Sequence, residues 1–354
     1  MGFHFDPLDF VASQIAVTNA TLTLQTGTAL GVYGASSAPG LVLLNGGKVI
    51  SEGAPDNLNR VVRYNLVQEQ ATTNWSASSV GKSISTPGTY STNTITGELR
   101  LRFTDFSMPA NGNDHLYTGA TNLAFTVQDC QFHGGQLTSL RPAVTLLNNL
   151  FDRVDFKLYA PVNGFTALVR NGTHFGGSVT VSNVAGGTWT VRDNLFDTTN
   201  LVQNGTVGNN WNGYLTNGVR LTPNGANDVK LTVTNITYNV GTLGRFYLPT
   251  NLASHSPLFN SGSQNATNAG LYHFTTTTNQ VKETNSVVDI GFHSVAVNSS
   301  GQPLDLGDGD GLPDYFEDTD GDGVADAGET NWESYNSLNG LTGTPGLQVF
   351  TPLK

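Results

Sequence analysis

The chain has 354 residues, 41 of them glycine, and only 12% of its residues are charged. That length supports a large core, and that composition fits a turn-rich all-β protein rather than a helical one. No run of 18 apolar residues occurs, which excludes a transmembrane helix. The net charge of −11 is uneven: residues 1–300 hold 16 acidic and 15 basic groups, whereas residues 301–354 hold 11 acidic groups and only Lys354. Neither part offers the basic surface that nucleic acid requires.

The opening Met1-Gly-Phe-His-Phe-Asp6 lacks the basic and apolar regions of a signal peptide, so either an export signal has been removed or the chain is a segment of a longer protein; the second is favoured because repeat-like sequence begins almost at once. Ile15-Ala-Val17-Thr-Asn19-Ala-Thr-Leu22 then introduces a form that recurs: apolar, x, apolar, x, Asn/Asp, x, x, large apolar. Leu22-Thr-Leu24 and Leu41-Val-Leu43 are further short strands and Val61-Val-Arg-Tyr-Asn-Leu-Val-Gln68 a strand candidate, with Arg60 and Arg63 expected outside. Residues 71–96, rich in Ser, Thr and Gly, read as an excursion, and residues 107–122 and 198–228 as longer loops.

Between residues 97 and 250 the form repeats in Leu101–Met108, Phe125–Phe132, Val144–Phe151, Trp189–Phe196 and Leu231–Tyr238, with a poorer copy at Ala167–Phe175. Two apolar residues at period two place both side chains on one face of a strand. Asn or Asp tolerates the left-handed backbone of a tight bend, and the next large apolar residue returns to the same interior. First positions lie 24, 19, 45 and 42 residues apart, so each long gap reads as two coils. A period near two dozen residues, with no helical pattern, predicts a parallel β-solenoid. The leucine-rich repeat, its rival at this period, is disfavoured because the helical return segment is missing. Cys130, the only cysteine, falls inside a repeat, where it reads as a small buried apolar residue and leaves no intrachain disulfide.

From residue 251 the pattern changes. Ser256-Pro-Leu-Phe-Asn-Ser-Gly262 and Val287-Val-Asp289-Ile-Gly291-Phe-His293 read as a closing cap, with Leu271–Thr276 and Asn279–Lys282 as a candidate strand pair. These stretches, with the Asn-Asn-Leu-Phe copies, resemble right-handed parallel β-helix repeat regions of large secreted or surface bacterial proteins, within the pectate-lyase-like superfold. The resemblance covers residues 10–295. It implies an all-β right-handed parallel β-helix over residues 1–300 and an extracellular location, but no activity.

Asp318-Thr-Asp320-Gly-Asp322-Gly323-Val324-Ala-Asp326-Ala-Gly-Glu329 places oxygen ligands at positions 1, 3, 5, 7, 9 and 12 of a calcium loop, with glycine at 6 and the Val324 carbonyl at 7. A preceding copy offers Asp308, Asp310, Asp314 and Glu317, but its first position is Leu306, with Asp305 one residue earlier. The adjacent Asp-Gly-Asp-Gly loops resemble thrombospondin type 3 and dockerin-like repeats. That resemblance implies Ca2+ as the cofactor of residues 301–354, in a stiffening rather than a catalytic role.

One catalytic constellation can be assembled from the repeats. The residue after the large apolar one faces outward, which stacks His133, Asp152, Asp197 and Asn239 on successive coils, Asp152 and Asp197 being two coils apart. Arg141, Arg153 and Lys157 are the basic candidates; His115, His174, His255, His273 and His293 are expected on the surface or in the cap. Trp75 and Trp211 fall in excursions suited to stacking on sugars, Trp189 is assigned to the core, and Trp332 to the junction with the tail. The reading favoured is a structural or adhesive module stiffened by calcium, with other surface components, polysaccharide or copies of itself as partners. The alternatives are a polysaccharide-active lyase or glycoside hydrolase, and a non-catalytic carbohydrate-binding module.

Overall fold

The computed structural model describes residues 15–32, 39–63, 81–86, 96–107, 113–119, 122–140, 143–160 and 164–335. Within them the chain winds through three parallel sheets of eight, eight and nine strands, and every third strand joins the same sheet. One coil is Gln136–Ser139 on the first face, Val144–Leu147 on the second and Leu150–Asp152 on the third. This is a parallel β-helix of eight coils. No helix among the described residues is long and apolar enough to cross a membrane.

The repeat form marks the second face and its turn onto the third. Leu99, Phe125, Val144, Ala167 and Trp189 share one register position, and Leu101, Val127, Leu146, Val169 and Val191 share the next inward one. The bend that follows is left-handed in six successive coils: Phe103, Asp129, Asn148, Asn171, Asp193 and Trp211 have φ between 47° and 60°. Four of the six are Asn or Asp, the residue types that enter this region at least cost. Phe103 is the exception that misplaces one copy. The copy read from Leu101 belongs two residues earlier, at Leu99, because a phenylalanine occupies its bend.

One residue further on, buried asparagines stitch the coils together. Asn149 Nδ2 donates to the Val127 carbonyl at 2.9 Å while its Oδ1 accepts the Cys130 N–H at 3.0 Å. Asn194 and Asn212 repeat the pattern through the Val169 and Val191 carbonyls. These amides satisfy backbone groups that the bends leave without a ladder partner. The chain then turns inward. Phe106, Phe132, Phe151, His174, Phe196 and Tyr214 form a continuous ring stack, with centroids 4.6–5.3 Å apart and planes within 18° of parallel. Coil spacing in a parallel sheet is close to a stacking distance, so one ring per coil builds this column. Cys130 and Trp189 are buried in the same core.

The first face carries the strands that periodicity missed. Lys82–Ser85 lies inside the expected excursion of residues 71–96, and Asp114–Thr118 inside the expected loop of residues 107–122. Asn200–Gly205, Gly208–Asn210 and Gly213–Tyr214, within residues 198–228, form the last complete coil. Here one inward column is apolar, through Leu41, Ile84, Leu116, Leu137, Phe156 and Val179. The other holds hydroxyls: Thr118 Oγ1 donates to Ser139 Oγ at 3.0 Å, and Thr86 Oγ1 accepts the Gly119 N–H. Trp75 and Arg141 lie outside the described residues.

Two expected copies have other places. Ile15–Val17 pairs with Leu41–Leu43 on the first face, so its Asn19 bend turns a different corner. Leu231–Tyr238 forms no strand. Its Leu231, Ile236 and Tyr238 instead join Leu150, Leu195, Leu258, Ile290 and Phe292 in a second core outside the coils.

That second core defines the C-terminal segment. The last coil is covered near residues 203–225, where Gln203 bonds to Thr222 in both directions and Leu221 enters the main core. Residues 256–297 instead lie along the side of the coils. Asn148 exchanges two hydrogen bonds with the His293 backbone at 2.7 and 2.8 Å, Thr173 Oγ1 accepts the Phe292 N–H, and Asp193 accepts from Ser263 N–H and Oγ–H. Phe274–Thr275 pairs with Ser294–Val295, not with residues 279–282.

Candidate metal centre

The acidic tail folds as two tight loops docked on this lateral segment. In the second, single oxygens of Asp318, Asp320 and Asp322 lie within 4.8 Å of one another. Gly321 and Gly323 have φ of 73° and 81°. A Cβ on Gly323 would meet the Tyr272 ring at 2.4 Å, and one on Gly321 the Gly270 carbonyl oxygen at 2.4 Å. Glycine is therefore required both by the turn and by the close seating of the loop. Asp318 organises the turn, accepting the Gly321, Asp322 and Gly323 N–H groups at 2.7–3.1 Å. Burial pushes its carboxyl up, but the hydrogen bonds from His273 and the loop amides outweigh that and leave it below the usual range.

The first loop is built the same way from a displaced start. Asp305 accepts the Gly309 and Gly311 N–H groups at 2.9 Å each, and its oxygen gathers with those of Asp308 and Asp310 within 4.8 Å. Asp305 thus takes the organising place that Asp318 has in the second loop; Leu306 stays exposed. Glu317 is 1% exposed, and neither of its oxygens has a hydrogen-bond partner; Thr330 approaches without closing one. Burial, followed by repulsion from Asp308, Asp310 and Asp314, raises its pKa to about 7.

The remaining expected ligands differ in their surroundings. Asp314 is buried, accepts the Leu306 N–H at 3.0 Å and pairs with Lys282. Glu329 accepts the Thr319, Asp320 and Asp326 N–H groups, which ties position 12 of its loop to positions 2, 3 and 9. Asp326 and Val324 are exposed, the Val324 N–H donating to Asp322. Burial and then the Asp322, Glu329 and Asp318 carboxylates raise Asp320 to about 6. His273 clamps the loop to the body through its 2.9 Å contact with Asp318 and packs in a three-ring cluster with Tyr272 and Trp332. The residues fit a hard cation that prefers oxygen: clustered carboxylates, sharp glycine turns, and a buried carboxyl left without a donor.

The expected catalytic column is assembled but tied up. His133 and Asp152 are register neighbours, and a His133 ring nitrogen lies 3.2 Å from Asp152, with Asp105 at 3.8 Å on its other side. Arg153 donates twice to Asp152. Burial pushes Asp152 up, but its His133 and Arg153 hydrogen bonds win and hold it low. Asp197 is two coils from Asp152, with Phe175 between them. It is fully buried, against Tyr238, and burial raises its pKa to about 6. Asn239 instead begins an antiparallel hairpin outside the coils. The five histidines expected at the surface or in the cap are all buried, His115 and His174 within the ring-lined core.

Periodicity also missed a cleft of about 450 Å3 in the lateral segment. Asp289 and Glu283 open onto it, with Thr275, Thr276 and Thr277, Phe259 and Val281 around them. Asp289 accepts the Asn260 N–H and the Thr276 hydroxyl; Glu283 accepts the Ser286 hydroxyl and lies 3.3 Å from His293. Burial and then Glu283 raise Asp289 to about 6, while His293 outweighs burial and holds Glu283 low. None of His133, Asp152 and Asp197 lines this cleft. Only the Val287–His293 motif signalled it, and its spacing carries no chemistry by itself. No family model, curated protein or solved structure matches the chain.

Proposed function

We propose that this chain is a structural or adhesive module of a secreted or cell-surface protein, a β-helix whose acidic C-terminal segment is locked in place by calcium. The observation that carries the reading is the pair of three-carboxylate clusters folded against the body. Asp318, Asp320 and Asp322, with the Val324 carbonyl, Asp326 and Glu329, would hold one ion. Asp305, Asp308 and Asp310 with Glu317 would hold another. A bound cation would supply the positive charge that these loops lack, offsetting their mutual repulsion. Its effect would reach the coils through residues already in contact: His273 from Asp318, Lys282 from Asp314, and Tyr315 against Phe103 at 5.5 Å.

The polysaccharide-active alternative lacks comparable support, since Asp152 is held by His133 and Arg153 and Asp197 is closed off. The test is calorimetric titration of the full chain with Ca2+ beside an Asp320→Asn/Asp322→Asn variant. Saturable binding in the parent, lost from the second loop in the variant, is expected. Heat no greater than dilution in the parent sinks the reading.

A further inference from the structure

We propose that the cleft beside Asp289 and Glu283 binds an uncharged carbohydrate. Sugar hydroxyls would donate to the two carboxyls, and the less polar face of a ring would rest on Phe259. The volume, about 450 Å3, falls within the roughly 300–1,000 Å3 of small-molecule sites. Both carboxyls are buried, and each is fixed from behind by the protein: Asp289 by Asn260 and Thr276, Glu283 by Ser286 and His293. Carboxylate oxygens have lone pairs beyond those the protein occupies, so the floor is a rigid set of acceptors. Preorganisation of this kind lowers the entropic cost of holding a flexible polyol.

Charge selects the ligand class. The floor carries two acidic groups, and the positive groups beside it are committed: His293 to Glu283 at 3.3 Å, and Lys282, on the cleft lining, to Asp314 and to His273 at 3.1 Å. An acidic sugar would meet repulsion with no counter-charge. Two carboxyls, one of them paired with His293, make a poorer cation site than the three-carboxylate loops of the tail. The walls supply both kinds of contact a sugar needs: the hydroxyl oxygens of Thr276 and Thr277, which donate to Asp289 and Asn279 and so are left as acceptors, and the half-buried ring of Phe259.

The experiment uses the full chain with saturating Ca2+. Cellotetraose, xylotetraose, mannotetraose and maltotetraose are titrated, with tetragalacturonate as the acidic arm, by saturation-transfer NMR and calorimetry. At least one neutral tetrasaccharide should bind saturably and tetragalacturonate should not. Val281→Trp, at a mouth position 65% exposed, should abolish binding without moving the melting temperature. Asp289→Asn should weaken it by about tenfold, the loss expected for a hydrogen bond to a charged acceptor. No neutral binding, preference for tetragalacturonate, or unchanged affinity in Val281→Trp each overturns the proposal. The Trp variant alone decides the matter if Asp289→Asn does not fold. Calcium titration without sugar reads the metal loops independently.

Discussion

The coiled body and the acidic loops solve one problem by opposite means. Both force the backbone into left-handed bends: Asp129, Asn148, Asn171 and Asp193 do so in successive coils, and Gly321 and Gly323 in the second loop. In the body each bend feeds a ring into the Phe106–Tyr214 stack, so hydrophobic burial holds the turn shut. In the loops each bend gathers carboxylates, whose mutual repulsion a bound cation, as proposed above, would offset. The comparison teaches that bend geometry is common property, and that the side chains around a bend decide whether its stability is intrinsic or conditional on the medium.

The largest expected effect is in the body. Phe151→Ala leaves a gap between Phe132 and His174 and should cost roughly 3–5 kcal/mol in denaturant unfolding, equally with and without calcium. A cost that depends on calcium would break the contrast. Next, chelation should destabilise the docked tail: Ca2+ at a hundredfold excess over its dissociation constant is worth about 2.7 kcal/mol per site. Trp332 fluorescence should report the loss, because that ring packs on Tyr272 and His273. Far-ultraviolet circular dichroism of the sheets should stay unchanged.

The third effect is on acidity. Burial holds His174 neutral, with its pKa lowered to about 3 from 6.5. The unfolded chain takes up a proton first, so this residue's share of stability is intact above pH 6.5 and declines as the pH falls towards 3. At pH 5 the loss should be about 2 kcal/mol. His174→Phe, which completes the stack, should flatten the pH profile of stability between 5 and 6.5; an unaltered profile would remove His174 as its cause. Smallest of all, Lys48→Ala breaks a 3.1 Å pair with Glu98 on the solvent side and should shift stability by about 0–1 kcal/mol, less still in high salt.

What was legible in the sequence was whatever is set locally. Apolar alternation and Asn/Asp bends mark the second face because both signals lie within eight residues, as in Val144–Phe151. The spacing of the acidic loops is equally local: it brought Asp318, Asp320 and Asp322 together in sequence, but in the first loop it pointed to Leu306 where Asp305 joins Asp308 and Asp310. The first face was obscured because Thr86, Thr118 and Ser139 fill inward slots where alternation demands apolar residues. Phe103 at φ 47° hid the true start of its coil. Burial of the histidines was invisible because each histidine's neighbours come from other coils or from the lateral segment. Asn148 meets His293 across 145 residues, and Asp193 meets Ser263 across 70, so no local pattern encodes that docking.

The path of residues 256–297 changes how the molecule should come apart. A stack of coils touching only their neighbours can fray from either end, one hoop at a time. Here a single stretch of chain is fastened across several hoops, at Asn148, Thr173 and Asp193 on successive turns, like a stave across a barrel. Pulled along its axis, such an object resists until the stave is stripped away, and then yields several hoops together.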